Sequence, residues 1–456
     1  MDANVKTKHK LRISRKTTLL VFLFFAVLTS SVYLYSYYSG EKSSLENAVH
    51  VKTETELRTA INNTPPNTPT SIALNKNIKL TRTLTIPTNK NITLTSNKII
   101  GFYKLTGANN TCTITVEGQG MLGLDKIIVT HVKGAIGSGV LVNNGGTCIM
   151  YGGEISGNTA IDKGGGVYNK GYFMMSGCAV ITKNSAYGYY SAGGGVYNEG
   201  TFELLDEARI AKNIAYRGGG VAVQSSGKFK MFDGTITNNT AYFYGGGVYI
   251  DKGTFELLNG LISDNVATSS SGGVGHGGGV YIHVVGSFNM LGGVITNNVA
   301  TRGGGVFNSG CQAAGEMSGR IYISYDYVHI SRGTFNMFSG IIANNTAFRG
   351  GGVYNRGNFS MSGGEISYNT AIGGGGVCIE SGDFWLTNGA LEGAGIFNIM
   401  GSSKITNNTA TTGGGVYNLY GTFNNHGGRI LGNNAPDASD IYNNANSNRA
   451  SNDNDD

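Results

Sequence analysis

Two kinds of side chain in this 456-residue chain could do chemistry: carboxylates that recur on alternating segments, and aromatic rings that recur just ahead of runs of glycine. Glycoside hydrolysis needs two facing carboxylates at a set separation. The acids that alternate outward are Glu203, Asp206, Glu207, Asp233, Glu256, Asp264 and Glu365, and only Glu203 and Glu256 share one position of the repeat, with Lys230 at that position between them. That alternation describes a salt-bridged face, which needs no catalytic role. Seven histidines stand dispersed at 9, 50, 131, 276, 283, 329 and 426 without an i,i+4 pair, so no zinc site is expected. Residues 273–278 fit G-x-G-x-x-G, but 73 glycines produce such hits by chance and no helical pattern follows. No catalytic residue, metal or cofactor is expected.

The rings are more regular. Tyr187, Tyr189 and Tyr190, then Tyr216, then Tyr242, Phe243 and Tyr244 fall at one place in three successive repeats, followed farther on by Arg302 and by Phe348 and Arg349. Rings stacked along an edge form a platform for sugar rings or for a protein partner, and these seven aromatic residues are the candidate ligand-binding site. The plainer reading is that each ring packs over its neighbour. A second series, Tyr168, Tyr197, Tyr249, Tyr281, Tyr354 and Tyr417, reads as cross-strand stacking that stabilises a sheet.

These side chains are positioned by a repeat. Ile-x-x-Asn-x-Ala occurs ten times, with asparagines at 158, 184, 213, 239, 265, 298, 345, 369, 408 and 433, and all but the last lead into Gly-Gly-Gly-Val. The valines that follow are 29, 25, 27, 32, 26, 47, 24 and 39 residues apart. A period near 25 means one supersecondary unit stacked on copies of itself. Segments such as Gly-Thr-Phe-Glu-Leu at 253–257 alternate apolar and polar residues, which is strand periodicity. Three short strands and three turns fit one coil of a parallel β-helix. Strand one is Gly-Gly-Val-Tyr-Asn, strand two Thr-Phe-x-Met, and strand three the segment around Ile, closed by an Asn-x-Ala turn. Phe173, Phe202, Phe229, Phe255, Phe288, Phe335, Phe359, Phe384 and Phe423 should then stack inside, about 4.8 Å apart. The repeated asparagine should bond amide to amide along the stack.

The repeat, over residues 137 to about 435, resembles the polymorphic membrane protein repeat of bacterial surface adhesins, with Ile in place of Phe before the asparagine and Gly in place of Ala before the valine. The resemblance implies a right-handed β-helix of the pectin-lyase-like superfold and a surface role, but not an autotransporter barrel, because the chain ends in Asn452-Asp453-Asn454-Asp455-Asp456 without alternating barrel strands. Gly275-His276-Gly277 is similar to an element of polygalacturonases, whose Asn-Thr-Asp, Asp-Asp and Arg-Ile-Lys companions do not occur in the neighbouring repeats.

Outside the repeats, residues 1–16 carry six basic side chains against Asp2, and residues 17–38 hold an apolar core at 19–28 and four tyrosines at the outer end. This describes a transmembrane signal anchor with its C-terminus outside, a cleaved signal peptide being the alternative. The stub accounts for +5 of the formal +6, leaving no basic footprint for nucleic acid on the remainder. Residues 39–50 are a linker. Thr53-Glu54-Thr55-Glu56 predicts a capping box and a short helix over 53–62 that caps the first coil. Residues 51–136 hold this helix and roughly three degenerate coils, 137–442 the glycine-rich repeats, and 443–456 a disordered tail. Some 13 coils would make a rod roughly 60 Å long. Residues 311–332 and 386–402 are extra coils or loops. Cys112, Cys148, Cys178, Cys311 and Cys378 read as buried free thiols, and the sequons at Asn62, Asn91, Asn109, Asn238, Asn344, Asn358 and Asn407 as by-products of the repeat. The expected protein is a membrane-anchored, adhesin-like, non-enzymatic β-helix that binds glycan or protein at the cell surface. The alternative is an extracellular polysaccharide lyase or glycoside hydrolase.

Overall fold

A computed structural model describes residues 47–97, 101–108, 110–268, 274–310, 332–380 and 395–444. The expected anchor at 17–38, its stub, and the tail from 445 onward lie outside the described residues. No helix among the described residues is long and apolar enough to cross a membrane.

The unit that begins at His50 is a parallel β-solenoid. Among the described residues its coils contribute in turn to a valine sheet of 13 strands, a phenylalanine sheet of 14 and an isoleucine sheet of 13. The named strand pairings are parallel, and in these three sheets identical positions of successive coils pair, so Phe229 lies between Phe202 and Phe255, and Ile236 between Ile210 and Ile262. The degenerate coils obey the same rule without a glycine box: Ile72, Leu74, Leu84, Ile86, Ile92 and Leu94 are all buried. The one helix among the described residues, α1 (Glu54–Asn63), starts where the capping box predicts, with Thr53 Oγ1 accepting from Glu56 N–H at 3.2 Å, and buries Leu57 and Ile61 in the common core.

Two ladders hold the coils in register. The first is apolar: Phe173, Phe202, Phe229, Phe255, Phe288, Phe335, Phe359, Phe397 and Phe423 stack with ring centroids 4.5–5.5 Å apart. Each buried ring contributes roughly 1.5–3 kcal/mol. The second is polar. Asn239 donates its backbone N–H and one Nδ2–H to Asn265 Oδ1, and its other Nδ2–H to the Ile210 carbonyl, each at 3.0 Å. Its own Oδ1 accepts the same pair from Asn213. Every hydrogen-bonding group of a buried amide is thereby satisfied. All ten amides point the same way, so one end of the ladder needs a donor and the other an acceptor. His131 Nδ1 lies 2.8 Å from Asn158 Oδ1, and Asp440 Oδ1 accepts from the Asn433 backbone N–H and Nδ2–H at 3.1 and 2.9 Å.

The glycine box answers to steric demand. Gly245 has φ +66°, a left-handed conformation that favours glycine. At Gly247 a Cβ would come within 2.6 Å of the Gly279 carbonyl and 3.1 Å of Asn265 Nδ2. The alanine of the resembled repeat has no room at this position.

One open alternative is decided and three expectations are corrected. The long intervals are single coils, because Val306–Asn308 pairs with Val353–Asn355 and Thr334–Met337 with Asn358–Met361, while Val377–Glu380 pairs with Val416–Leu419 and Ile396–Met400 with Thr422–His426. Both sets of extra residues enter between a valine strand and the next phenylalanine strand. The rung after Phe359 is accordingly Phe397, and Phe384 lies outside the described residues. Asn443 belongs to a strand, Ile441–Asn443, paired with the coil before it, since the backbone edge left by Val416–Leu419 is open to it. Finally, Cys148 and Cys378 are buried and free, but Cys178 is exposed and Cys112 half-buried, because they fall on turns.

Candidate functional site

The Asn-x-Ala segment is more than a turn. After the asparagine the chain enters a fourth, five-stranded parallel sheet that includes Ile214–Arg217 and Thr240–Tyr244, with the alanines Ala215 and Ala241 buried in it. The carbonyl of each ladder asparagine before Asn433 accepts from the next coil, as Asn239 does from Val266 N–H at 2.9 Å. This sheet carries the aromatic residues to the edge of the solenoid.

Five of the seven candidate residues meet there. Tyr190 packs edge-on against Tyr189 at 4.8 Å, Tyr189 against Tyr216 at 5.0 Å, Tyr216 stacks on Phe243 at 4.4 Å, and Phe243 contacts Tyr244 at 5.9 Å. Tyr189 and Tyr190 remain 68% and 63% exposed. Burial and the adjacent Tyr189 hydroxyl push the Tyr216 phenol up to about 12. Tyr187 and Tyr242 are exposed but stand apart from this row, with no ring contact among the described residues. The reason at Tyr242 is a register shift: Ala215 pairs with Ala241, yet Arg217 pairs with Tyr244, so the extra residue of the second coil sets Phe243 opposite Tyr216.

Tyr244 ends the row and begins a covering layer. It packs on Tyr281 at 4.6 Å and Tyr249 at 6.3 Å, on the outward face of the valine sheet. There the second tyrosine series stacks in part: Tyr249, Tyr281, Phe307 and Tyr354 form one stack and Tyr417 with Tyr442 another, while Tyr168 meets Tyr197 edge-on and Ala222 and Cys378 interrupt the column; Tyr197, Tyr249, Tyr281, Phe307 and Tyr354 are buried. Neighbouring rungs of one column lie over these rings: Arg217, Tyr244, His276, Arg302 and Arg349 pair in that order. The guanidinium of Arg217 sits 5.3 Å from the Tyr190 ring, 5.7 Å from Tyr244 and 5.9 Å from Tyr249. That of Arg302 sits 5.6 Å from the Tyr354 ring. Burial, with the charges of Arg302 and Arg356, holds the His276 imidazole down to about 3, and it remains neutral.

The sequence reading placed Tyr244, Arg302 and Arg349 along this edge but not as one column with His276, because its members share no residue type. Their common signal is position, immediately before the first glycine of each box. His276 belongs to it and is flanked by Tyr244 and Phe307 at 5.6 and 4.7 Å. Of the outward acids, Glu256 pairs with Lys230 at 3.3 Å and Glu203 accepts from Tyr172 OH at 2.7 Å, consistent with a structural face. Asp206, Glu207 and Asp233, which look scattered in sequence, line one shallow depression between adjacent coils. Among the described residues no group of three or more His, Cys, Asp or Glu is placed to hold a metal ion.

Fold and edge together define a parallel β-solenoid with an aromatic margin. Comparison with protein families, with curated proteins and with solved structures finds no match for the chain. The adhesin-like resemblance therefore rests on the repeat residues alone.

Proposed function

We propose that the protein is a surface-displayed, membrane-anchored β-solenoid that binds an extended glycan along its aromatic edge without turning it over. The observation that supports this reading is the contact row Tyr190, Tyr189, Tyr216 and Phe243 across three coils, with two rings about two-thirds exposed. A single exposed ring needs no explanation, but apolar area kept in water forgoes about 25 cal/mol per Å², and a row of rings repeats that cost rung after rung. Flat faces presented at rung spacing suit the C–H faces of successive pyranoses. The repeat's resemblance to bacterial surface adhesins, with the right-handed coil it implies, and the basic stub followed by the apolar segment 17–38 supply the surface setting. In this reading α1 closes the first coil.

The test is binding of the purified full chain to an array of glycans and to candidate surface proteins, with Tyr189→Ala, Tyr216→Ala and Phe243→Ala combined. Glycan binding should weaken by roughly a few kcal/mol while the unfolding midpoint holds, as for interface aromatics that act in binding more than in folding. Equal binding by the variant, or loss of stability in step with binding, would make these rings packing residues. Turnover of polygalacturonate at enzyme-like rates would replace this reading by a lyase or hydrolase.

A further inference from the structure

We propose that two copies of this chain pair face to face through the outer surface of the isoleucine sheet, with their solenoid axes antiparallel. This surface is separate from the aromatic edge, and the pairing does not rest on the glycan reading. The first outward position of the isoleucine strands is apolar in its middle and charged towards both ends. Leu261, Val294 and Ile341 pair rung to rung at the centre, and Ile341 is 42% exposed. A second apolar row runs along the neighbouring corner: Phe232, Leu258, Leu291 and Phe338, successive in the backbone ladder, are 37–53% exposed. Apolar side chains scattered singly on a surface need no cause, but a contiguous patch of them marks an interaction site.

The flanking charges decide what covers the patch. Arg209 stands two rungs before Leu261 and Glu365 two rungs after Val294, while Glu154 stands four rungs before Leu261 and Arg429 four rungs after Val294. Among the described residues none of these four has an ion-pair partner, and the side-chain bond to Glu365 comes from Thr406 Oγ1 at 3.4 Å. Within one chain Arg209 and Glu365 are separated by about 24 Å at rung spacing, too far to meet. A two-fold axis lying in the interface along the strands, between Leu261 and Val294, sets the column against its own copy with the order of rungs reversed. Leu261 of one copy then meets Val294 of the other, Thr235 meets Ile341, Arg209 meets Glu365 and Glu154 meets Arg429, each twice by symmetry. A slip of one rung sets Arg209 against Ile341 or Lys404, and a parallel pair sets every charge against its own like. The pattern thus selects a second copy, its direction and its register. Small side chains at the other outward position of these strands, Ala211, Ser263 and Ala343, leave room for close approach.

The experiment follows the mass of the purified full chain against concentration by sedimentation equilibrium, for the unaltered protein and for Arg209→Glu and Glu365→Arg, separately and mixed. The unaltered chain should form dimers. Either variant alone sets like charge against like at two places, and its dimer should weaken by roughly ten- to hundredfold, because two exposed pairs each exchange a modest attraction for a repulsion. Mixing the two variants should restore the dimer, since both pairs then join opposite charges again. Mixing cannot repair a loss of folding, so the restoration reports the contact itself. A chain monomeric at every concentration would overturn the proposal, and so would a dimer that both variants leave intact or a loss that mixing does not repair. Where one of these variants folds poorly, Glu154→Arg and Arg429→Glu repeat the comparison at the outer pair.

Discussion

At the scale of single residues the asparagines and His276 make opposite demands on the solvent they have left. Asn265 accepts two bonds from Asn239 and gives its Nδ2 hydrogens to Asn298 Oδ1 and the Ile236 carbonyl. An aspartate at this place has no hydrogens to give, and sets oxygen against oxygen in a dry interior. Asn265→Asp should therefore lose several kcal/mol of stability at neutral pH, each buried group left unpaired costing ~1–3 kcal/mol, and recover part of it in acid, when a carboxyl proton restores one donor. Chemical denaturation at pH 7 and pH 4 measures this; a variant as stable as its parent at pH 7 would show the ladder to be incidental. His276 works the other way. The unfolded chain takes up a proton near pH 6.5, while the folded imidazole stays neutral to about 3. Between those values the unfolded state binds more protons, so this group's contribution makes stability fall as pH falls through the window. Thermal midpoints from pH 7 to pH 4 should drop less steeply in His276→Phe than in the parent. Identical slopes would place His276 in water.

At the scale of elements, a coil is a set of short strands, none stable alone, that become stable by lying on the coil before and under the coil after. Phe255→Ala opens a cavity between two stacked rings and should cost roughly 3–5 kcal/mol by equilibrium unfolding. Gly247→Ala should cost roughly 1–3 kcal/mol by overpacking, because a methyl would meet the neighbouring coil's backbone, which cannot swing aside as a side chain would. If either variant unfolds with its parent, the inward register assigned to its strand is wrong. The same stacking explains why the two long intervals insert between valine and phenylalanine strands. Extra residues at a corner leave every rung paired, whereas extra residues within a strand would shift all later rungs by one and turn core side chains outward.

For the whole molecule, far-ultraviolet circular dichroism should be dominated by strand, since α1 is the one helix among the described residues; a largely helical spectrum would end the solenoid. An epitope placed before residue 17 should survive protease added to intact cells while the repeats are reached or persist as a resistant fragment, and a soluble form beginning near residue 32 would establish cleavage instead. What the sequence determined by itself was whatever repeats: the three-strand coil, the phenylalanine and asparagine ladders, and the place of the aromatic edge, because stacking identical units makes each position of the motif a column. What tertiary structure alone decided lies where copies differ. Phe397 rather than Phe384 holds a rung, since pairing with Phe359 and Phe423 settles a choice that spacing left open. Phe243 rather than Tyr242 joins the ring row, because one extra residue is absorbed as a register shift. Asp206, Glu207 and Asp233 come together, and Arg217, His276 and Arg302 align, only when coils of unequal length are brought into contact by the backbone bonds between them.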